Sequence, residues 1–233
     1  MRMNRKKTGF WWTCGIALVL VVGFGVWGIF NLMDQDNRAA SSPDLEQVQE
    51  EKGAVPEGFD LEHQPYMGEP GARVEIVEFS DYKCPACKRW KDEVLTELKK
   101  DYLDTGVAVF YYIDFPFLAP DSNFAALAGE SLYQQKQEFF WAYFDLMMEH
   151  QGAKDEAWAN KDFIMKLVGE NIPDVDMKAF EQDLDEQKYI ENVKRDFMIA
   201  EHHRVDGTPT IFINGQAVED ISFEGIRTVI DNL

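Results

Sequence analysis

Residues 74–88 read VEIVEFSDYKCPACK. The run Val74–Phe79 is dense in β-branched and aromatic residues. It has too many apolar positions for simple alternation, which predicts a strand buried on both faces. A polar turn comes next, then Cys84 and Cys87 with Pro85 and Ala86 between them. Pro85 opens a helical pattern through KRWKDEVLTELKKDYL, and proline fits the first helical turn because its missing N–H has no helical partner there. Cys84 therefore falls at a helix start, where free N–H groups and the helix dipole favour a negative sulfur. Lys83, Lys88 and Arg89 add positive charge nearby. These features favour the thiolate, the form that attacks disulfides. Cys87, one turn on, is expected to be shielded, so that Cys84 is an exposed attacker and Cys87 an internal resolver.

Working outward, VAVFYYI (107–113) reads as a second buried strand. The period then changes. From Asp121 to about Gln187 the chain is helix-like throughout, with start signals at Asp121-Ser122, Asn160 and Pro173-Asp174. The apolar band EFFWAYFDLMM (138–148) must bury against neighbouring helices, and Met147 and Met148 read as helix-core packing. A further helix begins at Lys188. Strand patterns return in TIFI and QAV, joined by Asn214-Gly215, a strong hairpin signal, and FEGIRTVIDNL closes the chain as a helix. The predicted class is α/β: a mixed sheet carrying an all-helical insertion.

The cysteine count limits the alternatives. The 233 residues hold three cysteines, too few for a disulfide framework, and Cys14 lies apart in an apolar stretch where a small membrane-buried residue is its plain reading. CxxC is also half of a tetrahedral zinc site, but His63, His150 and the pair His202-His203 form no ligand-like array to complete it. Two incidental core cysteines are disfavoured by the helix-opening proline. No metal ligands and no cofactor are assigned. The acidic surface could hold a hard cation such as calcium, but no twelve-residue ligand loop is present.

At the N-terminus, Arg2, Arg5, Lys6 and Lys7 precede an uncharged run from Thr8 to Met33, flanked by Trp11, Trp12 and Trp27. Residues 1–8 read as a cytoplasmic basic segment and 9–33 as a transmembrane anchor. The rival reading, a cleaved signal peptide, fits less well, because such apolar cores are normally about 7–15 residues long and end at small residues. Residues 34–70 read as a polar acidic linker. Beyond Met33 the chain carries 19 basic and 42 acidic residues, a net charge of −23, which repels nucleic acid and anionic lipid surfaces.

Two separated motifs, GARVEIVEFSDYKCPACKRW (71–90) and VDGTPTIFING (205–215), together resemble the DsbA-type thiol–disulfide oxidoreductases of the thioredoxin superfamily, most of all the membrane-anchored BdbD-like members of Gram-positive bacteria. The resemblance covers roughly Gly68 to Leu233. It implies a thioredoxin-like fold split into residues 71–119 and 188–233 by the helical insertion 120–187. It implies a Cys84–Cys87 redox disulfide, with Pro85 and Ala86 tuning it. It matches Pro209 to a cis-proline facing the CxxC, Thr208 to the residue whose backbone pairs with substrate, and Glu78 to a buried acid that assists proton transfer at Cys87. Pro-Ala replaces the Pro-His of the most oxidising members, which removes one partner for the thiolate. The implied activity is introduction of disulfides into secreted or cell-envelope proteins, from the extracytoplasmic side of the cell membrane. The implied partners are reduced secreted substrates and a quinone-linked, DsbB-like membrane oxidase. A reductase or isomerase on the same scaffold, or a non-catalytic thioredoxin-fold binding module, are the other readings.

Overall fold

The computed structural model describes residues 58–233. Five strands form one sheet: β1 (Tyr66–Gly68), β2 (Val74–Ser80), β3 (Ala108–Asp114), β4 (Thr210–Ile213) and β5 (Gln216–Ala217). Their order is β1-β3-β2-β4-β5. Only β2 and β3 run parallel. The expected double burial holds: every residue of β2 except Glu75 is buried, and all of β3 is. On one face Val74, Ile76, Phe110 and Tyr112 join the core that contains Cys84, Cys87 and Trp90. On the other, Val77, Phe79, Val109 and Ile113 pack with Ile199 and Ala200.

The parallel pair requires a crossover, supplied by α1. It comprises α-helical Pro85–Trp90 and Thr96–Leu98, with π-helical turns at Lys91–Leu95 and Lys99–Leu103. After β3 come four helices and no strand: α2 (Pro120–Gln135), α3 (Gln137–Glu149), α4 (Lys161–Asn171) and α5 (Met177–Asp185). Helix α2 is buried without a break from Asp121 to Leu132, because the other helices and the first sheet face surround it. Met147 and Met148 are fully buried core residues, as their spacing predicts. Helix α6 (Ile190–His202) covers the second sheet face, and α7 (Phe223–Asp231) returns to the first. Asn214 and Gly215 both have positive φ, 45° and 80°, as a two-residue hairpin turn requires.

Three boundaries differ from the sequence expectation. The polar linker is expected to reach residue 70, yet Leu61–His63 form a 3-10 turn and Tyr66–Gly68 pair with β3. The segment is held by scattered apolar contacts, Phe59, Leu61 and Tyr66 on one core cluster and Met67 on the other, and by Trp141 Nε1 donating to Tyr66 O at 2.8 Å, too few and too irregular to make a pattern. Asp121-Ser122 lie inside the first turn of α2, which starts at Pro120. Helix α5 starts later than Pro173-Asp174, where the Asp176 carboxylate caps the Ala179 N–H. Asn160 caps α4 as expected. The basic segment 1–8, the anchor 9–33, Cys14 and most of the linker lie outside the described residues. Among the described residues no helix is long and apolar enough to cross a membrane.

Gly68 ends β1 at φ 96°, and a Cβ there would come within 2.6 Å of the Ala108 carbonyl oxygen. Gly68→Ala is therefore expected to lower the unfolding free energy by about 1–3 kcal/mol, through a disfavoured backbone and a displaced strand pairing. Urea denaturation of the two proteins measures this, and equal midpoints would refute the tight approach.

Candidate active site

The site forms where the C-terminal end of β2 meets the N-terminal end of β4. Cys84 occupies the N-cap position of α1 with an extended backbone (φ −81°, ψ 114°), and Pro85 takes the first helical position. Strand pairing opposes Phe79 to Thr210, which brings the loop before β4 against the CxxC turn. The Thr208–Pro209 bond in that loop is cis. The Cys84 thiol donates to the Thr208 carbonyl oxygen at 3.3 Å. Thr208 thus touches Cys84, with Pro209 next to it in the chain and Cys87 one helical turn on.

The two thiols, both free, are unequal. Cys84 is 7% exposed, less than an exposed attacker implies, because Thr208 lies across it; Cys87 is fully buried. The Cys84 thiol is drawn down to about 5, first by a hydrogen bond from the Cys87 thiol, then by the Thr208 side chain and the backbone N–H groups of Cys87 and Ala86, against the opposing effect of burial. Burial pushes Cys87 well above the ordinary thiol value, and the neighbouring Cys84 and Glu78 push it the same way.

The expected aid from neighbouring cations is corrected. Lys83 turns inward to a buried ion pair with Asp121 at 2.6 Å, and Lys88 turns to the Met148 carbonyl at the end of α3. Hydrogen bonds, not lysine charge, account for the acidity of Cys84.

Glu78 sits on the β2 face that packs on Cys87. It shares that face with Ile76 and stands opposite Tyr112 and Ile211. It is 1% exposed, and no hydrogen bond of good geometry reaches either carboxylate oxygen. Burial lifts its pKa to about 8; the nearby Ser80 hydroxyl offsets part of that and Cys84 adds to it.

Several functional candidates carry no sequence signal. Asp81 accepts from the backbone N–H groups of Lys83 and Leu118 and, being buried, is raised to about 6. Gln151 donates to the carbonyls of Tyr82 and Cys84. Asp114, Glu130 and Asp196 converge, all buried, with carboxylate oxygens within 4.8 Å of one another. Gln64 donates to Asp196 and Asn192 to Glu130, while Asp114 Oδ1 and Gln64 Oε1 are buried without a partner. Such a set of oxygens suits a hard cation, since three buried carboxylates otherwise need protons. The only hints in sequence are acids interrupting apolar runs, and these residues come from three different elements.

A parallel strand–helix–strand unit with CxxC at the helix start, opposed by a cis-proline before an antiparallel strand, defines a thioredoxin-type redox protein. The chain belongs to the thioredoxin family, whose sequence profile, described as Thioredoxin, matches residues 60–232. "Probable disulfide bond formation protein D" of Bacillus cereus is 35% identical over 216 residues, spanning 93% of this chain and 91% of the relative. Its Bacillus anthracis namesake is 31% identical over 231 residues, spanning 99% and 98%. Crystalline oxidised BdbD from Bacillus subtilis superposes with a TM-score of 0.71 at 25% identity, covering 78% of this chain and 98% of that one. Chlamydia trachomatis DsbA gives 0.69, also at 25% identity, covering 78% and 96%.

The buried acids are open to two measurements. Glu78 has a folded pKa raised above its unfolded value. Its contribution is therefore most favourable below about pH 4.5 and declines as pH rises to about 8. Glu78→Gln should flatten stability across that window, gaining on the parent at pH 8 relative to pH 5; parallel profiles would refute the burial effect. Calcium added to metal-free protein should raise its melting temperature, and Glu130→Gln should abolish the rise.

Proposed function

We propose that this chain is an extracytoplasmic thiol–disulfide oxidoreductase that introduces disulfides into secreted or cell-envelope proteins. The observation that carries the reading is the placement of two free sulfurs one turn apart, Cys84 at the helix start 3.3 Å from the Thr208 carbonyl oxygen and Cys87 fully buried, which sets their acidities apart. In the oxidised enzyme, a substrate thiolate attacks Cys84 Sγ and breaks the Cys84–Cys87 bond. Cys87 leaves as a thiolate and takes a proton from Glu78. The substrate's second thiolate attacks the substrate sulfur of the mixed disulfide, and Cys84 departs as a stabilised thiolate. Two electrons pass from substrate to enzyme. Thr208 presents backbone to an extended substrate beside Pro209, while Pro85 and Ala86 tune the pair.

The direction is set by which form is favoured. The reduced protein holds the Cys84 thiolate by hydrogen bonds that the disulfide cannot accept in the same way, so reduction is favourable and the disulfide is oxidising. The Bacillus relatives named for disulfide bond formation support that direction over reduction or isomerisation. Reoxidation falls to a quinone-linked, DsbB-like membrane oxidase. Residues 1–8, 9–33 and 34–57 serve as cytoplasmic segment, anchor and tether, with residues 120–187 inserted between two thioredoxin-like parts, 58–119 and 188–233.

The depressed Cys84 pKa adds stability to the reduced protein that is full above the unfolded thiol value and lost as pH falls through about 5. The melting-temperature difference, reduced minus oxidised, is thus expected to grow from pH 5 to pH 7. Cys87→Ser should accumulate mixed disulfides on non-reducing gels, and Cys84→Ser should trap none. Substrate trapped on Cys87 would reverse the roles.

A further inference from the structure

One amide links the helical segment to the nucleophile. Gln151 Nε2 donates to the Tyr82 carbonyl at 2.8 Å and to the Cys84 carbonyl at 3.1 Å. The other main-chain groups of this turn are also engaged: Lys83 N–H to the Asp81 carboxylate at 2.8 Å, and Cys84 N–H to the Asp81 carbonyl at 2.9 Å. The Cys84 carbonyl also accepts the first helical bond from Lys88 at 3.2 Å, which leaves Gln151 as its second donor. A few residues on, the Glu156 carbonyl accepts from the buried Lys83 ammonium at 2.8 Å. The loop after α3 thus grips the tripeptide Tyr82–Cys84 through backbone and side chain.

The loop is shaped for this. A Cβ on Gly152 would come within 2.7 Å of the Trp158 indole, so only glycine next to Gln151 lets that ring close over the loop. Trp158 in turn packs edge-on against Phe163 of α4, which ties the loop to the helical segment.

Fixing the Cys84 carbonyl orients the first turn of α1. A peptide unit is planar, so holding that oxygen sets the whole Cys84–Pro85 unit. Pro85 has its φ locked by the ring, which leaves one soft torsion before the Ala86 N–H. The N–H groups of Ala86 and Cys87 are donors that draw down the Cys84 sulfur. An uncharged amide aims them without adding a charge of its own.

We propose that Gln151 is a positioning residue for Cys84, the side chain through which the helical segment aligns backbone donors on the reactive sulfur. This rests on the thiol–disulfide reading above. The test is the iodoacetamide alkylation rate of Cys84 against pH in reduced full-length protein, together with the reduction potential. Gln151→Met keeps the volume and removes the donors. It should raise the midpoint of the profile by about one unit and lower the potential by about 30 mV, the equivalent of tenfold in equilibrium. Gln151→Asn, whose shorter amide cannot reach both carbonyls, should shift both in the same direction. Lys154→Met, on the exposed part of the same loop, should shift neither. A lower melting temperature with midpoint and potential unmoved would overturn the proposal, as would an equal shift in Lys154→Met. Oxidase activity persisting in Cys84→Ser would instead overturn the thiol–disulfide reading; an inactive Cys84→Ser with an unmoved Gln151→Met profile defeats only the role of Gln151.

Discussion

Everything at this site depends on the unequal surroundings of two sulfurs one helical turn apart. Cys84 is drawn toward the thiolate at the helix start, while Cys87, fully buried, is pushed toward keeping its proton. That inequality needs a dry position at one turn into a helix and a donor-rich one at its start. The helix supplies both by geometry alone: the first turn has unpaired N–H groups, and the residue three further on faces the core. The sheet supplies the remaining requirement, a buried face of Ile76, Tyr112 and Ile211 in the same cluster as Cys87.

Glu78 is the exception on that face. A carboxylate in the middle of a buried strand is costly unless it stays protonated or is paired. Here burial keeps it a neutral acid near neutral pH, in the same cluster as Cys87. Burial that penalises the folded state at high pH is therefore the same burial that keeps a proton on this carboxyl near pH 7.

The features legible in the sequence obey local rules. Strand composition, a helix-opening proline, Asn214-Gly215 and the doubly buried β2 and β3 are short-range signals, and the fold contains each of them. The lysines flanking the cysteines mislead, because charge in sequence says nothing of direction, and Lys83 points into the protein. Strand β1 is illegible for want of an apolar pattern. Asp114, Glu130 and Asp196 become a cluster only when β3, α2 and α6 are folded together, and Gln151 acquires partners only through a loop closed on Trp158. Groups that act through tertiary placement leave no spacing to recognise.

The pairing of β2 with β4 has a consequence for how such a protein can change over time. Phe79 stands opposite Thr210, and short chains run from each to Cys84 and Thr208. The gap between the sulfur and the Thr208 backbone is therefore set by the main-chain ladder of β2 with β4. The dipeptide between the cysteines and the loop that holds them are free to vary above that ruler. Descendants of this architecture can drift in driving force while the Thr208 backbone stays fixed against the sulfur.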